Sequence, residues 1–118
     1  MLLVLFSFSL TPMSGAQTYS YSVNPIHQST TKTYAEGKIC SDNPAVTTIK
    51  YVFRNPYGTV TGTFQFPPHD GCVLWYMIVQ PAFGKWTVTG IFYHQGMILD
   101  KVKGTVIHSQ RYIFELWL

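Results

Sequence analysis

The chain has 118 residues and a mass of 13.4 kDa, room for one domain and not two. Hydrophobic residues make up 47%, aromatics 16% and charged residues only 11%, which excludes a disordered chain and a Glu/Lys-rich coiled coil. The net charge is +3, no two Lys or Arg are adjacent, and the clustered basic run of a nucleic-acid binder is missing, so no nucleic-acid partner is expected.

Leu2 to Leu10 read LLVLFSFSL, an apolar run far short of the roughly 20 residues a membrane helix needs. Its length suits the apolar region of a signal peptide. Ser14 and Ala16 then offer small side chains at the −3 and −1 positions of a cleavage site before Gln17. The pattern predicts a signal peptide at residues 1–16 and a domain at 17–118, although no Lys or Arg precedes the apolar run. A buried N-terminal strand is the alternative. Export implies a secreted or cell-surface location with no integral membrane span after cleavage.

Tyr19 to Lys38 is rich in Ser and Thr and predicts one or two edge strands. Asn24-Pro25, Asn43-Pro44 and Asn55-Pro56 mark turns, because a residue before proline avoids the helical region. Every Asn precedes Pro, so no N-glycosylation sequon is present. Val46–Arg54 alternates Ile49, Tyr51 and Phe53 against Thr48, Lys50 and Arg54, the period of a strand. Thr59–Phe66 alternates Val60, Phe64 and Phe66 against Thr61, Thr63 and Gln65, and pairs with it as a hairpin or Greek-key neighbour. Pro67 to Gly71 interrupts the pattern.

Cys72 to Val79 reads CVLWYMIV and is apolar on both faces. Such a run predicts a central strand covered on both sides, or a strand with an exposed apolar face. Trp86–Tyr93 alternates again, and Met97–His108 predicts a long last strand with a bulge at Gly104. Arg111–Leu118 places Tyr112, Phe114 and Leu116 on one face and Ile113, Glu115 and Trp117 on the other. This segment either completes the sheet or forms an interaction edge, for a protein partner or for self-association through the sheet edge.

Cys40 and Cys72 are the only cysteines, at a spacing that fits no zinc or redox motif. In an oxidising compartment they predict one disulfide; two buried free thiols are the alternative. The carboxylates Glu36, Asp42, Asp70, Asp100 and Glu115 show no favoured acid–base pair, and the four histidines show no metal-ligand spacing. No nucleophile elbow, phosphate loop or dinucleotide fingerprint occurs. No catalytic residue, metal or cofactor is expected. Excess aromatics are the unusual feature. Tyr57, Trp75 and Trp86 are candidate ligand-binding side chains, able to stack on a sugar or small ligand if exposed.

Short strands punctuated by turns predict an all-β fold: a single antiparallel sandwich of about seven strands. Thr48–Val60, Asp70–Ile78 and Gly84–Leu99 resemble an extracellular immunoglobulin-like module of the macroglobulin or bacterial and archaeal type. The features carrying the resemblance are Pro56-Tyr57-Gly58 and Gly84-Lys85-Trp86-Thr87-Val88. Trp75 and Trp86 both follow the second cysteine, so the Cys–Trp–Cys order of antibody domains is absent. The resemblance implies an Ig-like sandwich with an adhesive, structural or binding role. A carbohydrate- or small-ligand-binding sandwich is the alternative.

Overall fold

A computed structural model describes residues 18–27, 34–79 and 82–108. The proposed signal peptide at 1–16 and the segment containing Tyr112, Phe114 and Leu116 lie outside the described residues. Seven strands follow in chain order: β1 (Tyr21–His27), β2 (Tyr34–Ser41), β3 (Thr48–Arg54), β4 (Val60–Phe66), β5 (Cys72–Ile78), β6 (Gly84–His94) and β7 (Met97–His108). They form two antiparallel sheets, ordered β1-β2-β5 and β4-β3-β6-β7.

The alternation in the sequence sets which residues face inward. Ile49, Tyr51 and Phe53 of β3 and Trp86, Val88 and Phe92 of β6 are buried, as are Ala35 and Ile39 of β2 and Val73, Trp75 and Met77 of β5. The two inner faces form one core. Two glycines let the sheets approach. A Cβ on Gly104 would meet Val23 Cγ1 at 2.7 Å, and one on Gly90 would meet Ile39 Cγ2 at 2.7 Å. Gly104 is therefore a close-approach site and not the expected bulge; the register of β6 and β7 shifts at Phe92/Tyr93.

The turns are locally encoded. Gln95 and Gly96 both have positive φ, 47° and 89°, the backbone of a tight hairpin between β6 and β7. The Asn55 side-chain oxygen accepts from the N–H of Tyr57 at 2.9 Å and of Thr59 at 3.0 Å, and Gly58 closes the turn at φ 87°.

The sheet order decides two expectations about strand placement. β2 is the centre of the three-stranded sheet and not an edge. β5, the strand apolar on both faces, takes the second of its two expected forms, an edge strand with an exposed apolar face and not a covered central strand. It buries Val73, Trp75 and Met77 and exposes Leu74, Tyr76 and Ile78. The Cys40–Cys72 disulfide joins β2 to β5 within one sheet, with the two residues directly opposite at a Cα separation of 4.1 Å. In antibody domains the bridge links the two sheets.

Candidate interaction surface

Among the described residues, three strands face four and leave one side of the sandwich open. β1 lies across β7, where Val23 reaches Gly104. β5 lies across β3, where Trp75 meets Phe53 edge-on with centroids 6.0 Å apart. β4 extends beyond β5, and its whole length is exposed apart from half-buried Gly62. Phe64 and Phe66 stand opposite Tyr51 and Ile49 in the ladder, so they share the inward face. Both are nevertheless exposed, because among the described residues no strand covers β4.

Two cavities occupy this overhang. The first, about 650 Å³, lies between Tyr51 and Phe66 on one side and Val73 and Leu74 on the other, with His69 and Asp70 at its end. The second, about 540 Å³, lies between Phe53 and Phe64 on one side and Tyr76 and Ile78 on the other, with Trp86 in its wall and exposed Tyr57 at its mouth. Together they run the length of β4 and β5.

The outer face of the smaller sheet is apolar near its β5 edge. Leu74, Tyr76 and Ile78 are 67%, 54% and 53% exposed. Tyr34 stacks on Tyr76 at 5.4 Å. The outer face of the larger sheet is different. Ladder register places Lys50, Arg54, Lys85, Lys101 and Lys103 on it, among Thr63, Thr87, Thr89 and Thr105 and the apolar Val52, Ile91 and Ile107. None of these five cations has a carboxylate partner among the described residues.

The candidate ligand-binding aromatics separate. Tyr57 is 80% exposed at the mouth of the second cavity, held out by the Asn55 turn. Trp75 and Trp86 are 2% and 3% exposed and belong to the core, so they do not offer free ring faces to a ligand as expected from the sequence. Trp75 packs against Phe53 and Gly37. Trp86 lines the cavity wall while its indole N–H donates to the Ala82 carbonyl at 3.0 Å. Both sit at inward positions of their alternating strands, and that parity was the signal that could have placed them.

The titratable side chains are dispersed. Asp42 accepts from the Ser20 N–H at 2.7 Å and the Ser20 hydroxyl at 3.1 Å, tying the start of the described chain to the end of β2. The His94 Nδ1–H donates to the Ala45 carbonyl at 2.6 Å. His69 and Asp70 lie 3.5 Å apart on an exposed turn. No group of three metal-ligating side chains occurs among the described residues. Burial raises the Tyr51 phenol above its ordinary value of 10.0.

No family model and no curated protein matches the sequence. Among solved structures, the chain is similar to chitinase ChiW of Paenibacillus sp. str. FPU-7, described as a bacterial cell-surface-expressed multi-modular enzyme machinery. Sequence identity is 18% and the TM-score is 0.54, over 75% of this chain. The chain spans 8% of the length of that enzyme, and the likeness is one of fold.

Proposed function

We propose that this chain is a non-catalytic, Ig-like interaction module of a secreted or cell-surface protein, whose contact surface is the outer face of β5. The observation carrying this reading is the row Leu74, Tyr76 and Ile78, each more than half exposed on an edge strand. Contiguous apolar side chains on a sheet edge mark contact sites, since isolated domains protect such edges with charge or proline. The disulfide supports an oxidising compartment. Fold-level likeness to a small part of a multi-modular cell-surface enzyme supports a modular role. The strand order, with β2 paired to β5 and β3 to β6, supports the Ig-like description.

Photo-crosslinking in the native host tests the surface. A crosslinking side chain at position 76 gives discrete protein adducts, and one at position 50, on the opposite outer face, does not. Equal labelling from both positions rejects the assignment. A second reading rests on Tyr57, exposed beside Phe64 at the cavity mouth, as a platform for a sugar ring. Saturable oligosaccharide binding abolished by Tyr57→Ala, without adducts at position 76, favours that reading instead.

A further inference from the structure

The outer face of the larger sheet carries charge of one sign. Ladder partners divide it into rows that cross β3, β6 and β7. Lys50 and Lys101 share the first row, Lys103 stands in the second, Arg54 in the third and Lys85 in the fourth. Rows lie about 7 Å apart and strands about 5 Å apart, so the cations share a patch of about 20 by 10 Å. Arg54, Lys85, Lys101 and Lys103 are exposed and Lys50 is half-buried.

The described carboxylates lie elsewhere. Glu36 is exposed on the smaller sheet, opposite Tyr76. Asp42 holds Ser20 just after β2, and Asp70 lies beside His69 on the turn before β5. Asp100 stands opposite buried Phe92, on the other face of β7, and its carboxylate accepts from the Lys101 N–H at 2.8 Å. The cations of the outer face are therefore uncompensated. Lys101 and Lys103, two residues apart on β7, are about 7 Å apart at the backbone, within the Debye length of about 8 Å at physiological salt, so their repulsion is not screened away. An anionic partner relieves it.

We infer that this face binds a linear acidic polysaccharide, lysine ammonium groups meeting its repeated anions and threonine hydroxyls meeting its sugar hydroxyls. All the cations but Arg54 are lysines. Lysine is a point charge on a flexible stem, whereas arginine is the fixed fork that grips a single anion. Arg54 turns part of its fork inward, donating to the Gly58 carbonyl at 3.2 Å. The face is thus a field of charge, suited to anions repeated along a polymer. Thr63, Thr87, Thr89 and Thr105 stand among the cations as neutral hydrogen-bonding groups. These rows carry no aromatic ring on which nucleic-acid bases stack. Lipid insertion needs a continuous apolar surface, but Val52 and Ile91 are half-buried and the exposed Val60 and Ile107 sit on opposite edge strands. The patch is on the opposite side of the sandwich from Leu74, Tyr76 and Ile78, so this inference stands apart from the proposed function.

Calorimetric titration of the full chain, disulfide intact, with polygalacturonate, dextran sulfate and neutral dextran tests the assignment. Binding to a charged polymer and not to neutral dextran is expected, with log affinity falling linearly as log salt rises. A preference for polygalacturonate makes the recognised anion a carboxylate and one for dextran sulfate a sulfate; either supports the inference. Lys103→Gln should weaken binding at least about threefold at low salt. Lys38→Gln, which removes the same charge from the smaller sheet, should leave it unchanged. Lys85→Gln, at the other end of the patch, repeats the comparison, and melting curves show that each variant is folded. Equal weakening by Lys38→Gln and Lys103→Gln overturns the inference, because net charge alone then accounts for the binding. Failure to bind either charged polymer overturns it, as does tighter binding to vesicles of anionic lipid than to both polymers. Loss of binding in Tyr57→Ala also overturns it, in favour of the Tyr57 platform.

Discussion

The indole of Trp75 lies across Gly37, its directly opposed partner on β2. A Cβ on Gly37 would meet Trp75 Cζ2 at 2.5 Å and crowd the Asn24 carbonyl oxygen on β1. The ring has no retreat, because Phe53 of the facing sheet packs edge-on against it. Gly37→Ala should therefore destabilise the domain by about 1–3 kcal/mol, the range of overpacked cores. Urea unfolding monitored by tryptophan fluorescence reads this directly; an unchanged midpoint refutes the close packing.

The Cys40–Cys72 bridge closes a separation of 32 residues and joins two strands already hydrogen-bonded to each other. In the chain-entropy model its loss costs about 3–4 kcal/mol, since it restricts the unfolded chain wherever it sits in the fold. The double variant Cys40→Ala/Cys72→Ala should lose that amount in denaturant titration. A loss below about 1 kcal/mol would show that the unfolded chain is already restricted in this region.

The Tyr51 phenol is buried between Phe53, Phe64 and Phe66 and titrates above 10.0. The folded state keeps this proton when the unfolded state releases it. The associated stability is complete below pH 10.0 and is lost as pH rises from there toward the folded value. Tyr51→Phe should flatten that part of the alkaline stability profile. Thermal melts of both proteins between neutral and strongly alkaline pH check the sign.

Lys50, Arg54, Lys85, Lys101 and Lys103 share one outer face without a carboxylate partner among the described residues. Like charges on neighbouring strands repel. Lys103→Glu should raise the melting temperature by about 2–4 °C at low ionic strength, as expected for an exposed pair in a domain of this size. The gain should shrink as salt is added. A salt-independent change would mean that the substitution acts through β propensity instead.

Much of the fold was legible because strand alternation is a local property. Ile49, Tyr51 and Phe53 announced an inward face before any partner was known, and that face is buried. The turns at Asn55–Gly58 and His94–Gly96 were legible for the same reason: proline, glycine and the asparagine side chain act within four residues. The candidate site was less so. Tyr57 is exposed because its turn projects it outward. Trp75 and Trp86, the same kind of residue by composition, are buried, because their parity turns them toward a sheet formed by distant segments.

The sequence by itself determined the all-β class and the pairing of the only two cysteines, since both depend on residue type and spacing along the chain. Only the tertiary structure decided which strands are edges. CVLWYMIV reads equally as a strand covered on both sides or as one with an exposed apolar face, and the strand order selects the second: β5 ends the smaller sheet and shows Leu74, Tyr76 and Ile78 to solvent. Hydrophobicity records that both faces of a strand are apolar and carries no record of how many neighbours the sheet supplies. Strand order comes from pairing between segments far apart in the chain, such as Lys38 with Leu74 and Val52 with Thr89. Among the described residues, the open side between β4 and β5 exists because three strands face four, a mismatch that no single stretch of sequence contains.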